Sequence, residues 1–273
     1  MSSSPTNNIW QQNRQRIQTQ IGQWLAGEDV IVRGRSLFYD LLHELDFAQL
    51  HVLNLTGRLI DKNLSHWLDR SIFFTSYPDV RIWCNQLGAM AAVQKTSPVA
   101  AHAIGSLAAD SKAYGSKAQY LTVLALQTMR QRQMAGDALA DIVEAFPKRR
   151  GFPIISGFAR PVRVADERLQ PARDLSKKYH FEPGEHVQLA EAVSDYLLDQ
   201  YGLGMNAAAY SSAFLMDRGF SAEEIYRLRA ADVCSGVMAC YADYFARPDN
   251  SLLPLQCDDI NYQGVSKRHL KPI

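Results

Sequence analysis

The sequence predicts an all-α fold, and three observations carry this prediction. Apolar residues recur with the helical period along most of the chain. Cap residues, prolines and glycines mark where successive helices begin and end. β-Branched residues seldom stand together, and only Val30-Ile31-Val32 is typical of a short strand.

The first helices follow from apolar spacing and from caps. A helix is expected after Ser36, because one face collects Leu37, Phe38, Leu41, Leu42 and Leu45. Ser97-Pro98 places a cap residue before a proline at the first helical position, so another helix begins there.

Three later helices have equally clear signals. Residues 120–134 and Glu185–Tyr201 are periodic, and the second of these is expected to bury an apolar face that includes Leu197 and Leu198. Ser221-Ala222-Glu223-Glu224 is a capping box. Between these helices, the prolines and glycine of residues 146–153 interrupt any helix.

Composition excludes several classes of protein. The chain has 273 residues, of which 47% are apolar and 21% charged, as in soluble globular proteins. A net charge of +1 predicts neither a nucleic-acid partner nor an anionic membrane surface. No apolar run approaches the roughly 20 residues of a membrane span, and residues 1–5 lack the features of a secretory signal. A cytoplasmic protein without a membrane partner is expected.

The four cysteines give no sign of a metal site or a disulfide. Cys84, Cys234, Cys240 and Cys257 form no CxxC pair, and the six-residue spacing of Cys234 and Cys240 places them on different sides of a helix. Buried thiols are therefore predicted, with no metal.

Charge is uneven along the chain. Residues 148–178 contain nine basic and three acidic residues, an excess of six positive charges, so the rest of the chain carries −5. Two interpretations are open at this point. The excess suits a polyanion such as a phosphorylated cofactor, and it is equally consistent with a solvated surface.

Short motifs are spread in order along nearly the whole chain. They are Ile31-Val32-Arg33-Gly34, Asp46-Phe47-Ala48, Leu53-Asn54-Leu55-Thr56-Gly57-Arg58-Leu59, Thr96-Ser97-Pro98, Gly105-Ser106-Leu107-Ala108, Gly157-Phe158, Asp166-Glu167-Arg168, residues 206–212 and Cys234-Ser235-Gly236-Val237-Met238-Ala239. Together these motifs resemble the citrate synthase superfamily, specifically its short members of the citryl-CoA lyase type. Each motif is weak alone, and their shared order makes the resemblance specific.

The resemblance implies an all-α homodimer with two domains in each chain. Residues 1–114 and 214–273 would form the large domain, and residues 115–213 a small, mobile domain. Closure of the small domain would exclude water from the substrate and strengthen electrostatic interactions there.

The resemblance also implies a catalytic site whose acid–base residues have been replaced. The family uses a carboxylate to remove the α-proton of an acyl-CoA, one histidine for the thioester oxygen and a second for the acceptor ketone. These three positions match Ala208, Tyr114 and Arg160, in that order. Tyrosine donates a hydrogen bond but is a poor base at neutral pH, arginine is a permanent cation, and alanine has no titratable group. No residue left in the loops that contain these three positions readily takes the α-proton.

The arginines and histidines that hold the family's substrate are also mostly absent. Arg168 of the Asp-x-Arg motif remains, whereas Val233 and Cys240 stand where an arginine and a histidine are expected, and Ser71 is loosely aligned with another histidine. Standard citrate synthase activity is therefore not expected. The alternative for Arg168 is a structural pair with Asp166 or Glu167, and for Tyr114 a packing role at a helix junction.

A CoA thioester is the expected substrate, together with a small carboxylic acid. In this hypothesis Tyr114 binds the thioester oxygen, Arg160 and Arg168 hold a carboxylate, and four basic residues contact the CoA phosphates: Lys148, Arg149, Arg150 and Arg163. The reaction would be decarboxylation, C–C cleavage, acyl transfer or hydrolysis, an acyltransferase or lyase activity. A catalytically inactive binding or regulatory protein is the alternative. A third possibility is a relocated base, His102 or Tyr210, although both are also explained by helix packing.

Overall fold

The computed structural model of the chain describes residues 11–14, 18–159, 166–249, 251–252 and 256–270. Arg160 and Arg163 lie outside these ranges. The described residues are mostly helical, which confirms the predicted fold class. They belong to two compact units. The first unit comprises residues 1–75 and 110–232, and the second comprises residues 76–109 and 233–273.

The first unit contains most of the helices. In chain order they are α1 (Leu42–Glu44), α2 (Phe47–Thr56), α3 (Lys62–Ser71), α6 (Ser116–Met134), α7 (Leu139–Glu144), α8 (Leu169–Lys178), α9 (Glu185–Tyr201), α10 (Ala207–Asp217) and α11 (Ala222–Arg229). The second unit contains α4 (Trp83–Val93), α5 (Pro98–Ala108) and α12 (Cys234–Phe245). Short helical turns lie at Leu37–Leu41, Ile72–Phe74 and Cys257–Asp259.

Caps determine where several of these helices begin. Asp46 and Gln49 form a capping box before α2, and Ser221 with Glu224 forms the predicted one before α11. Ser97 accepts a hydrogen bond from the Ala100 amide at the start of α5, as Ser97-Pro98 predicts. These side chains satisfy amide groups that have no partner inside the helix.

Strands form two small antiparallel sheets in the first unit. β1 (Gly22–Leu25) pairs with β2 (Asp29–Val32), which also pairs with β3 (Arg35–Ser36). β4 (Lys148–Arg149) and β5 (Phe152–Pro153) form a hairpin in the segment that was expected to interrupt a helix. Of these, the sequence predicts only β2, because it alone contains consecutive β-branched residues, and the other strands contain none.

The core of the first unit is organised around Trp67. This fully buried ring stacks on Phe214 with their centroids 3.9 Å apart, and its Nε1 donates to Ser176 Oγ at 3.0 Å. Because the three residues come from α3, α10 and α8, their contacts hold together the helices that flank the loops of the candidate functional site. Leu197 of α9 is buried as expected, whereas the prediction for Leu198 is wrong, because that side chain is exposed.

The second unit is a close association of three helices. Cβ atoms added at Gly88 and Gly105 would lie 2.8 and 2.6 Å from Val237 Cγ1. Because glycine has no Cβ, these two residues let α4 and α5 approach α12 closely. Cys84 and Cys240 are buried in this unit, as predicted, whereas the prediction is wrong for Cys234, which is half-buried. The predicted mobile domain of residues 115–213 stays a prediction, and all of it falls within the first unit.

Among the described residues, no helix has the length and apolar character needed to span a membrane. The same residues contain no group of three or more His, Cys, Asp or Glu side chains arranged to hold a metal ion.

Candidate functional site

Tyr114 lies in the loop between α5 and α6, in the part of that loop that belongs to the first unit. Ser111 closes this loop, since its Oγ accepts from the Tyr114 amide at 3.1 Å and its own amide donates to the Tyr114 carbonyl at 3.2 Å. Gly115 follows with φ +81°, which allows the chain to turn into α6. The Tyr114 hydroxyl donates to the Thr75 carbonyl at 3.4 Å. Tyr114 is therefore half-buried and held at both its backbone and its phenol.

Asn206 joins the segment that precedes Arg160 in the sequence to the segment that contains Ala208. Its amide donates to the Gly157 carbonyl at 2.8 Å, and its Nδ2 donates to the Ala159 carbonyl at 3.1 Å. Its Oδ1 accepts from the Ala208 and Ala209 amides and so caps α10. The residue that precedes Arg160 is thus hydrogen-bonded to the residue that begins the Ala208 segment.

Gly157 allows this approach. Its φ is +89°, and a Cβ there would lie 2.6 Å from Thr122 Cγ2 and 2.9 Å from Ala209 Cβ. Any other residue would be strained in its backbone and would collide with α6 and α10. The glycine is therefore required for the contact between the two loops.

Asp166 connects Arg168 to the same helix terminus. Its fully buried carboxylate accepts from Arg168 Nε at 2.8 Å and Nη2 at 2.6 Å, and from the Ala207 amide at 2.9 Å. Burial alone raises the pKa of Asp166, but the bonds from Arg168 and Ala207 outweigh it, so that the pKa lies below its usual value. Asp166 is consequently ionised at neutral pH and is a poor proton acceptor.

Adjacent carbonyls bring Tyr114 and Arg168 together. Arg168 Nη1 donates to the Phe74 carbonyl at 3.0 Å, next to the Thr75 carbonyl that accepts from Tyr114. Through Asp166, Arg168 is also linked to the start of α10. The Tyr114 loop, Arg168 and the start of α10 thus converge around Phe74 and Thr75, and Asn206 joins residues 157–159 to them. Ala208 is half-buried at this convergence and presents a methyl group.

The predicted CoA-phosphate residues behave differently from one another. Lys148 Nζ forms an ion pair with Glu144, whose other oxygen accepts from the Tyr196 and Tyr201 hydroxyls. The hydrogen bonds from Lys148 and Tyr201 lower the pKa of Glu144 to about 2. By contrast, Arg149 and Arg150 are exposed in the β4–β5 hairpin, and neither has an ion pair within the described residues. The charge of Lys148 is neutralised, while those of the two arginines face solvent.

The two candidates for a relocated base lie in different units. Tyr210 is buried in the first unit and donates to Ser176 Oγ at 3.0 Å, and burial raises its pKa. These contacts fit helix packing and not proton removal. His102 lies in the second unit, where its buried Nε2 has no hydrogen-bond partner among the described residues.

Sequence reasoning missed the residues that organise this site. Asn206 was visible as a cap residue, but its bonds to residues 157 and 159 depend on tertiary structure. Phe74 and Thr75 contribute backbone carbonyls, which leave no signal in side-chain patterns.

Comparison with known proteins identifies the fold. No protein-family model and no curated protein sequence matches the chain. Solved structures do match, and they show that the chain has a citrate synthase-like fold. One is citryl-CoA lyase from Hydrogenobacter thermophilus, with a TM-score of 0.77, 22% identity, and coverage of 93% of this chain and 97% of that one.

Two larger proteins contain the same fold. ATP citrate lyase from Methanothrix soehngenii, in complex with citrate and coenzyme A, has a TM-score of 0.74 at 16% identity, and the match covers 98% of this chain and 45% of that one. Citrate synthase from Thermoplasma acidophilum, in a ternary complex with carboxymethyl coenzyme A and oxaloacetate, has a TM-score of 0.58 at 16% identity, covering 84% and 59%. At these identities the likeness establishes the fold, and the reaction has to be argued from the site.

Proposed function

We propose that this chain binds a CoA thioester and acts on it by chemistry other than that of a standard citrate synthase. The observation that carries the proposal is the convergence of Tyr114, Arg168 and the Ala208 segment in one unit. Citryl-CoA lyase and citrate synthase share the fold, and two of the similar structures hold coenzyme A or carboxymethyl coenzyme A. The coenzyme A moiety is common to these two ligands, and it supports a CoA thioester as the substrate of this chain.

Tyr114 is proposed as the hydrogen-bond donor to the thioester oxygen. A phenol can supply one preorganised donor to an oxygen that becomes negatively charged during the reaction. Its backbone is held by Ser111, so the ring starts from a defined position. The bond from its hydroxyl to the Thr75 carbonyl is long at 3.4 Å, and a thioester oxygen is a competing acceptor.

The loops that contain Tyr114 and Ala208 offer no proton acceptor, and this determines the class of reaction that we propose. Ala208 has no titratable group, and Asp166 is held ionised by Arg168 and Ala207. Removing an α-proton requires a base whose pKa is near the working pH. Decarboxylation yields the enolate with loss of CO₂, and C–C cleavage of a β-hydroxy thioester yields it with loss of the hydroxyl proton to solvent; neither removes an α-proton, and thioester hydrolysis or acyl transfer needs no enolate. These are the reactions we propose.

Carboxylate binding is assigned to Arg160, with Arg168 in support. The guanidinium of Arg168 is already bound in bidentate fashion to Asp166 and contacts the Phe74 carbonyl. This pairing favours Arg168 as the residue that orders the site. Arg160 follows Ala159 in the sequence, and the carbonyl of Ala159 accepts from Asn206, the residue that caps the Ala208 segment.

The CoA phosphates are assigned to Arg149, Arg150 and Arg163. Arg149 and Arg150 are exposed in the β4–β5 hairpin. Lys148 is paired with Glu144, so we no longer assign it a phosphate contact. Guanidinium groups suit phosphate oxygens because they offer paired N–H donors.

A homodimer is part of the proposal, and α5 supports it. This helix contains no Asp, Glu, Lys or Arg, and Val99 and Leu107 are each 77% exposed. Its opposite face packs on Val237 through Gly105. A helix that is apolar on all sides is normally buried, so we propose that a second copy of the chain covers the exposed side.

An inactive binding or regulatory protein is the competing proposal. It is favoured by the replacement of all three catalytic side chains, and by the engagement of Arg168 with Asp166. If it holds, a regulatory activity would survive Tyr114→Ala and Arg160→Ala together, whereas any turnover would be lost.

Calorimetric titration with CoA tests the proposed function. The wild-type protein should bind CoA, and R149A/R150A should bind it more weakly. R70A/R227A is the matched control, because it removes two exposed arginines of the same unit outside the hairpin. No binding to the wild type at millimolar CoA, or equal loss in both double variants, would contradict the proposal.

A further inference from the structure

Tyr226 connects α11 to the loop that contains Tyr114. Its hydroxyl lies 2.9 Å from both carboxylate oxygens of Asp110, the residue with which that loop enters the first unit. A phenol has one proton to donate, so the two oxygens share it. The hydrogen bond to Asp110 raises the pKa of Tyr226 above its usual value, so the phenol stays protonated and remains a donor at neutral pH.

The start of α11 explains why Tyr226 reaches this loop. The capping box of Ser221 and Glu224 fixes the first turn of the helix. Tyr226 lies three residues after Glu223 and therefore on the same face. Its ring packs on Tyr120 of α6 with the centroids 5.3 Å apart, and the Tyr120 hydroxyl donates to Glu223 at 3.4 Å. The two neighbouring tyrosines thus have different partners, since Tyr226 binds the loop and Tyr120 binds α11.

Asp110 also closes the loop at its far end. The hydroxyl of Ser116, at the start of α6, donates to Asp110 Oδ1 at 3.4 Å. Between these two residues, Ser111 binds both the amide and the carbonyl of Tyr114. The segment from residue 110 to residue 116 is therefore hydrogen-bonded within itself, and a displacement of Asp110 is passed on to Tyr114.

The bond from α11 becomes important when the Tyr114 hydroxyl changes its acceptor. In the structure that hydroxyl donates to the Thr75 carbonyl. In the proposed function it donates to the thioester oxygen, so its bond to Thr75 is given up. The bond from Tyr226 to Asp110 does not involve the Tyr114 phenol, and it is kept in both arrangements. This matters because a catalytic group displaced by about 1 Å can lose about 10²-fold in rate.

We propose that Tyr226 is a positioning residue that acts through Asp110, holding the loop so that the Tyr114 hydroxyl is aimed at the thioester oxygen. This inference rests on the proposed function and deepens it, because it adds a residue of α11, a helix that none of the substrate-binding motifs includes. Tyr226 itself does not contact the substrate in this proposal.

Tyr226→Phe and Tyr120→Phe are the matched pair of variants that tests it. Each removes one hydroxyl from the same pair of packed rings, but only Y226F breaks a bond to the loop. Amide hydrogen exchange, followed by mass spectrometry, should be at least about fivefold faster across residues 111–116 in Y226F than in the wild type, because the loop opens more often. Y120F should exchange there at the wild-type rate.

Steady-state kinetics with a CoA thioester separate positioning from a structural role. Y226F should lower kcat about tenfold and leave KM, CoA affinity and the free energy of unfolding close to those of Y120F. D110N, which keeps an oxygen that accepts from Tyr226, should retain more activity than D110A. The double variant Y226F/D110A should be no slower than D110A alone, because both substitutions remove the same contact.

The outcomes separate this inference from the proposed function. Equal exchange in Y226F and Y120F, or a wild-type kcat in Y226F, overturns the role of Tyr226. Additive losses in Y226F/D110A overturn the route through Asp110. A wild-type protein that neither binds CoA nor turns over a thioester removes the proposed function, and faster exchange in Y226F would then still support the hold of α11 on the loop.

Discussion

Asp166→Asn tests whether the buried carboxylate holds the loops of the site together. The substitution preserves the shape of the side chain and removes its charge. In the wild type the carboxylate accepts from Arg168 Nε and Nη2 at 2.8 and 2.6 Å and from the Ala207 amide at 2.9 Å. An asparagine keeps one acceptor oxygen and turns its NH₂ group towards a donor, so at least one bond to Arg168 is lost.

The size of the effect follows from burial. The side chain of Asp166 is 0% exposed and that of Arg168 is 22% exposed. Removing one partner of a buried ion pair lowers the unfolding free energy by about 3–5 kcal/mol. Because Arg168 is partly exposed, we expect D166N to lose about 3 kcal/mol. Glu191→Gln breaks a bidentate pair with Arg173 whose side chains are 31% and 34% exposed, so it should cost only about 0.2–1 kcal/mol.

Urea unfolding measures both effects in the same unit. Tryptophan fluorescence follows the transition, because Trp67 is fully buried there. A difference of about 2 kcal/mol between D166N and E191Q is expected. An unchanged unfolding free energy in D166N, or equal losses in the two variants, would refute the role assigned to Asp166.

Four further predictions follow from individual contacts. The pKa of Asp166 is lowered in the folded state, so its stabilisation is complete above about pH 4, and the gap between wild type and D166N should narrow as the pH falls below that value. Gly157→Ala should destabilise by about 2–4 kcal/mol in urea unfolding, and Gly151→Ala, with φ +85° and no neighbour within 4 Å, by only about 1 kcal/mol. Tyr114→Phe should lower kcat with the thioester substrate about 10²–10³-fold and leave CoA affinity unchanged; equal loss of both would contradict its assigned role. Leu107→Lys should convert a dimer into a monomer in analytical ultracentrifugation, whereas Met134→Lys, at an exposed position of the first unit, should not.

Local signals predicted much of the fold. The caps at Ser97 and Ser221 and the full extent of Glu185–Tyr201 depend on residues within a few positions of each other, so they are visible in the sequence. β1 was missed because its stability comes from pairing with β2, and its own four residues show no alternation. The β4–β5 hairpin was predicted only as a helix interruption, for the same reason.

The site was predicted less completely than the fold. Motif order located Tyr114, Arg168 and Ala208, but the contacts among them pass through the backbone carbonyls of Phe74 and Thr75. Tyr226 was overlooked because a tyrosine within a helix usually serves packing. Its bond to Asp110 joins residues that are 116 positions apart in the sequence.

Proton NMR of acyl-CoA thioesters in D₂O tests the central claim most directly. The claim is that the site acts on a CoA thioester and has no base for its α-proton. We expect release of CoA from at least one thioester that carries a free carboxylate, with no deuterium entering the methyl group of acetyl-CoA above the solvent rate. Enzyme-dependent exchange into that methyl group would reveal a base, and the absence of CoA release from every thioester would show that the site does not turn over; either result would contradict the account.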